Sequence, residues 1–240
     1  MATPRIMATS GGFVSDGVDG MKPGAVFLET LRLSGAERPT VCFVMTASGD
    51  DSRYLKRCYE AMFGYGCEVT HLELFGMPNA DPMERLTTSD VVWVGGGSVA
   101  NLLALWRLHG VDEAMRAAWE KGVVLGGVSA GSICWHLGGP TDSFGKTLKP
   151  VTNALGFLPY ANGVHYDSEV QRRPLVHSLI ADGTFDVCYA TDDYTGILYE
   201  GIEPVAVFGD RPDSTSGAAY RIERAGGQVV ETKLPIGLIG

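Results

Sequence analysis

The sequence predicts an α/β fold built on a mostly parallel sheet with helices on both faces, and three features predict it. Short, nearly unbroken apolar runs, such as residues 40–46 and 90–94, alternate with stretches whose apolar residues recur at helical spacing. That is the pattern of parallel strands buried on both sides by crossover helices. Two of the runs end in glycine-rich turns that lead straight into a helix, Gly95-Gly96-Gly97-Ser98 and Gly126-Gly127-Val128-Ser129. Beyond residue 186 the chain changes character, and short apolar runs are separated by turns such as Glu200-Gly201 and Ala225-Gly226-Gly227, which suggests extra antiparallel strands at a sheet edge.

Taken in order, residues 4–9 read as a first strand, followed by a Ser10-Gly11-Gly12-Phe13 loop and a helix over 24–33. Residues 40–46 form an apolar strand. It ends in Ser48-Gly49-Asp50-Asp51-Ser52, rich in helix N-cap residues, ahead of an amphipathic helix over 53–63. A strand over 67–74 and a loop with Pro78 and Pro82 precede the strand over 90–94, the triple glycine and helices over 99–107 and 111–121. The run 123–125 is the next strand, and its helix is expected to end near Gly138-Gly139-Pro140. Residues 141–156 form a polar segment too long for a simple turn. The loop 162–167 leads to a helix over 174–181, and strands follow over 187–190, 196–199, 204–208, 218–223 and 228–232. With no internal repeat or low-complexity linker, residues 1–240 read as one domain.

Composition bounds the partners. A 45% hydrophobic, 20% charged chain of 240 residues can bury a sizeable core. A formal net charge of −9 and a pI near 5.0 argue against nucleic acid or an anionic membrane as partner. The start lacks the apolar stretch of a secretory signal and no apolar run is long enough to span a bilayer, so the expectation is a cytoplasmic protein. The five cysteines are scattered without C-x-x-C spacing, so buried free thiols are expected, with no metal and no cofactor. Cys134, five positions past Ser129, should serve packing.

Gly127-Val128-Ser129-Ala130-Gly131 fits the G-x-S-x-G elbow, in which a serine occupies a sharp strand-to-helix turn. Strand and helix backbones approach closely there, so a Cβ at Gly127 or Gly131 would obstruct them. The turn also puts Ser129 at a helix N-terminus, where the free N–H of Ala130 can stabilise an oxyanion. An ordinary glycine-rich turn with a solvent-facing serine satisfies the same five residues. The Gly95–Gly97 loop, at the carboxyl end of its strand, is placed to share a site with Ser129; without G-K-[ST] or G-x-G-x-x-G spacing it is no nucleotide loop of known pattern. A serine nucleophile needs a base. Among His71, His109, His136, His165 and His177, the best candidate is His165, in a loop-like Asn-Gly-Val-His-Tyr-Asp context; His136 and His177 fit structural roles.

Together, Gly95-Gly96-Gly97, Gly127-Val128-Ser129-Ala130-Gly131-Ser132, His165-Tyr166 and Thr191-Asp192-Asp193 resemble the peptidase E (aspartyl dipeptidase) and cyanophycinase family of serine peptidases, in order, over roughly residues 5–225. The resemblance implies a flavodoxin-like fold related to class I glutamine amidotransferases. It implies Ser129 as nucleophile, His165 as base, and an acid at Asp193, with Asp192 the alternative. The amides of Gly96 or Gly97 and of Ala130 match its oxyanion donors, and Asp142 matches an aspartate that meets the substrate's α-amino group. An aspartyl dipeptidase must also pair the substrate carboxylate, for which Arg172 and Arg173 are the nearest candidates. Two departures stand out: Ser98-Val99 replaces the family's frequent Asn-Thr, and an Asp stands where Glu is common.

The implied activity is hydrolysis of small peptides, aspartyl dipeptides first and cyanophycin-like peptides as the alternative, with a homodimer compatible. A flavodoxin-like module binding a small anion or nucleotide is the rival from another class. An α/β-hydrolase esterase would need a histidine near the chain end and a His-Gly-Gly-Gly segment, and this chain has neither.

Overall fold

The structure is a computed structural model and describes residues 3–18, 20–211 and 217–239, so the ends of the expected 1–240 domain lie outside the described residues. The strands are β1 (Arg5–Thr9), β2 (Phe13–Asp16), β3 (Gly20–Pro23), β4 (Thr40–Val44), β5 (Glu68–Leu72), β6 (Val91–Val94), β7 (Val124–Val128), β8 (Gly139–Thr141), β9 (Lys149–Val151), β10 (Ala161–Gly163), β11 (Val187–Thr191), β12 (Thr195–Glu200), β13 (Glu203–Gly209), β14 (Ala219–Ala225), β15 (Gln228–Leu234) and β16 (Gly237–Leu238). The helices are α1 (Ala25–Leu33), α2 (Ser52–Ala61), α3 (Pro82–Thr87), α4 (Val99–His109), α5 (Val111–Lys121), α6 (Ala130–Ile133) and α7 (Arg172–Ala181).

The main sheet runs β16-β13-β12-β1-β7-β6-β4-β5. From β1 to β5 every pairing is parallel, and β12, β13 and β16 extend the β1 edge antiparallel. Alternate residues of the central strands point to opposite faces, as a pleated strand requires. Cys42, Val44, Val92, Val94 and Leu125 pack with Leu102, Trp106 and Met115 of α4 and α5. Val41, Phe43, Val91, Trp93 and Val124 pack with Phe27 and Leu31 of α1 and Leu55 and Cys58 of α2. Both faces are therefore covered, and this is why the strands read as continuous apolar runs.

The tail strands do not all join that edge. While β12 and β13 do, β11, β14 and β15 join β10 in a second sheet ordered β10-β11-β14-β15. It is closed by α7 over a core containing Val176, Ile180, Cys188 and Ile222. β10 and β11 are parallel, so their carboxyl ends lie side by side. The chain crosses from the second sheet to the first in the short turn between β11 and β12.

The elbow helix is also shorter than its sequence suggests, stopping at Ile133 rather than near Gly138. The carbonyls of Cys134, Trp135 and His136 accept hydrogen bonds from Leu155, Leu158 and Gly156 in place of helical partners. Cys134 is buried and joins the main core, as expected of a packing residue. Among the described residues, no helix is long and apolar enough to cross a membrane.

Candidate active site

Ser129 follows β7 at φ 58°, ψ −114°, a conformation that L-residues rarely adopt and that costs about 1–3 kcal/mol. Two close approaches flank it. A Cβ on Gly127 would lie 2.3 Å from the Gly131 carbonyl oxygen, and one on Gly131 would lie 2.3 Å from that of Val94. The elbow's glycines are thus required by backbone contact between strand, helix and the neighbouring β6. The Ser129 N–H donates to the Thr9 carbonyl at 3.0 Å, which ties the elbow to the end of β1.

The triple glycine walls the other side. A Cβ on Gly96 would stand 3.3 Å from Ser129 Cβ and 3.8 Å from its Oγ, so glycine there keeps the space over the hydroxyl open. Gly97 has φ 137° and packs its Cα against the Ala47 carbonyl, while the N–H groups of Gly95 and Ser98 are used by Val44 and Ala47. Among the described residues, the N–H groups of Gly97 and Ala130 make no hydrogen bond. The Gly96 backbone lies against the Tyr54 hydroxyl, whose pKa is raised by burial.

His165 and Asp193 leave the ends of the paired strands β10 and β11, and His165 Nδ1 lies 2.5 Å from Asp193 Oδ1. Both side chains are partly open, 25% and 32% exposed, so the pair can be approached from solvent. His165 is itself left-handed, at φ 51°. The Asp193 N–H donates to Asp167 Oδ1 at 2.9 Å. Among the described residues, no hydrogen bond joins the Ser129 hydroxyl to the His165 ring; such bonds often tighten only when substrate binds.

Asp192, the alternative acid, points elsewhere. Its Oδ2 accepts the Ala218 N–H at 2.8 Å and the Tyr220 O–H at 3.1 Å, and its buried Oδ1 has no partner among the described residues. Burial pushes its carboxyl above the ordinary range, Asp167 adds to the rise, and the two donors oppose it.

Asp142 is exposed, in the segment after β8. Its neighbour Ser143 accepts the Ala100 N–H at 3.4 Å, which ties this segment to the first turn of α4, the helix that follows Gly96 and Gly97.

The two arginines open α7 and are engaged internally. Arg172 is buried, and its guanidinium donates to the Pro140 carbonyl and to Glu169. Arg173, 42% exposed, is paired with Glu231 and stacked over the rings of Tyr166 and Tyr220. Glu231 also accepts from Tyr166 and lies 2.8 Å from His177 Nε2.

Sequence reasoning passed over Asp167 and the dipeptide Thr9-Ser10, whose backbone and side chains touch both halves of the site. The signal was Ser10's place at the carboxyl end of a parallel strand, where α/β sheets assemble their sites. Among the described residues, no group of three His, Cys, Asp or Glu is placed to hold a metal.

An α/β sheet that ends in a strained serine turn, with a histidine–aspartate pair on neighbouring strand ends, is the arrangement of a hydrolase. The chain belongs to peptidase family S51, whose family model matches residues 7–204. It is 39% identical over 241 residues to the uncharacterized peptidase YgaJ of Bacillus subtilis (strain 168), covering 98% of this chain and 99% of that protein. It is 30% identical over 130 residues to peptidase E of Streptomyces coelicolor, covering 52% of this chain and 51% of that one. The fold matches the crystal structure of a peptidase from an acI-B1 actinobacterium with a TM-score of 0.70 and 13% identity, over 97% of both chains.

Proposed function

We propose that this peptidase is a serine enzyme that hydrolyses small peptides through an acyl-enzyme, and that N-terminal aspartyl dipeptides are its first candidate substrates. The observation that carries the serine mechanism is the His165–Asp193 pair, 2.5 Å apart, at strand ends tied to the strained Ser129 turn through Thr9 and Ser10. Asp193 holds the proton on Nδ1, which leaves Nε2 to take the Ser129 proton as Oγ attacks the peptide carbonyl. The amides of Ala130 and of Gly97 or Gly96 receive the oxyanion, each such donor being worth about 2.7–4 kcal/mol in the transition state. His165 then protonates the leaving amine, and water, deprotonated by the same ring, releases the acyl group.

The substrate class rests on similarity to a peptidase E over half its length and on the site's charges. Asp142, exposed in the segment tied to the start of α4, suits a free α-amino group. A substrate side-chain carboxylate needs a cation, because a buried unpaired charge is very costly. Of the two arginines, Arg173 has the exposed surface and would exchange Glu231 for the substrate.

Fluorophosphonate labelling tests the mechanism: Ser129 should be modified stoichiometrically, and Ser129→Ala and His165→Ala should abolish labelling while the fold is kept. No labelling, with tight binding of a small anion instead, would identify a binding module. A dipeptide comparison tests the substrate. Loss of a buried charge pair costs about 2 kcal/mol or more, so kcat/KM for Asp-Leu should exceed that for Asn-Leu by about thirtyfold, and Arg173→Gln should collapse the ratio. Equal cleavage of both by the unaltered protein refutes Asp selectivity and leaves the serine mechanism standing.

A further inference from the structure

The geometry points to Ser10 as the positioning residue of the base: its hydroxyl fixes the backbone of His165 and so sets the ring's place between Asp193 and Ser129. The inference rests on the serine mechanism proposed above.

Ser10 is buried, 5% exposed, directly after the residue whose carbonyl holds the elbow. A serine hydroxyl can donate once and accept twice, and this one has three partners. It donates to the Thr191 carbonyl at 3.0 Å, lies 2.7 Å from Thr191 Oγ1, and accepts the His165 N–H at 2.9 Å. With its one proton on the carbonyl, the Thr191 hydroxyl becomes the donor in the second contact, and the capacity of Ser10 is full.

Its backbone is as fully used: the N–H donates to the Thr195 carbonyl at 2.9 Å, and its carbonyl accepts from Tyr194 at 3.1 Å. Ser10 therefore grips the acid turn on both sides of Asp193 and the base at its amide.

The grip has a rigid anchor. Thr9 Oγ1 accepts the Gly11 N–H and donates to the Thr195 carbonyl, and Asp210 accepts from the N–H groups of Gly12 and Val26. The Asp210 N–H donates to the Tyr194 carbonyl, which closes the loop on the acid turn. His165 needs such a hold, because its φ of 51° is a conformation a β-substituted residue keeps only when its surroundings impose it.

Ser10→Ala removes the side-chain grip and leaves the main-chain pairing intact, whereas Thr191→Val removes one partner of Ser10 and leaves its bond to His165. The first readout is the NMR signal of the His165 ring proton shared with Asp193, with the ring's titration. It needs no substrate and reports on Ser10 even in a protein whose Ser129 fails to label. The second readout is the rate of fluorophosphonate labelling at Ser129.

Ser10→Ala should displace or broaden the proton signal, shift the ring's titration and slow labelling about 10–100-fold, the scale of a misplacement near 1 Å. Thr191→Val should leave the signal in place and labelling within about threefold. An unchanged ring signal in Ser10→Ala, or equal changes in both variants, overturns the proposal. Absence of labelling in the unaltered protein, with the Ser10 effect on the ring intact, overturns the serine mechanism instead.

Discussion

Replacing Asp193 by asparagine separates the two adjacent acids. The Asp193 carboxylate meets His165 Nδ1 at 2.5 Å. An amide there either turns its oxygen to the ring or turns its NH2. In the first case the tautomer is kept, and a charged hydrogen bond of about 1.5–3 kcal/mol gives way to a neutral one of about 0.5–1.5. A difference of about 1–2 kcal/mol slows Ser129 labelling about 5–30-fold. In the second case Nδ1 must accept, the proton moves to Nε2, and the base is lost, a defect of about ten-thousandfold where such a triad has been reversed. Asp193→Asn should therefore slow labelling at least about fivefold. Asp192→Asn should leave labelling within about twofold, because one amide oxygen still accepts from Ala218 and Tyr220 and the NH2 replaces a buried oxygen that has no partner among the described residues. The assay is the second-order rate of fluorophosphonate modification, with urea midpoints recorded to confirm the fold. A greater loss in Asp192→Asn would transfer the acid role to Asp192.

Two further outcomes concern the scaffold. Gly131→Ala should destabilise the protein by at least about 1–3 kcal/mol in urea unfolding and abolish Ser129 labelling, since its Cβ would meet the Val94 carbonyl at 2.3 Å; a variant as stable and reactive as the parent contradicts the close approach. His136 is buried, its Nε2 without a partner among the described residues, and burial, against the pull of the Ser132 carbonyl, lowers its pKa from 6.5 to about 4. Between those values the unfolded chain binds the proton and the native one does not, so stability is full above about pH 6.5 and falls as the pH drops towards 4. At about 1.4 kcal/mol per pH unit the loss is about 3 kcal/mol. Unfolding at pH 7.5 and 4.5 should show most of that loss in the parent beyond the loss in His136→Phe, and parallel losses would refute the assignment.

Much of the candidate site was legible because its residue types are constrained by chemistry: a serine between glycines after an apolar strand, and a histidine in a turn. The parallel strands were legible because burial on both faces leaves runs such as Val91–Val94 without polar interruption. What was not legible depends on distant partners. The elbow helix ends early because Leu155, Gly156 and Leu158 take its next carbonyls, and no local pattern announces that. The hairpin of β2 and β3 is half-exposed and short, with no alternation to reveal it. Arg173 reads as a surface cation until Glu231, 58 residues on, is seen against it.

The division of the tail between two sheets has a consequence for catalysis. The proposed nucleophile belongs to the main sheet, at the end of β7, while the proposed base and acid belong to the second, at the ends of β10 and β11. Each sheet is held by its own strand pairing, so the register that matters is the one between them. Its backbone bridge is the end of β1, where Thr9 accepts from Ser129 and Ser10 bonds to His165, Thr191, Tyr194 and Thr195. Ser129 and His165 both sit at positive φ, and both are held by this dipeptide. The strain on each side is thus fixed from a common point, so a shift of either sheet would move the hydroxyl and the ring relative to one another. A peptidase built this way has a catalytic geometry that depends on the packing between two cores, and its reactivity is expected to be lost before either sheet unfolds.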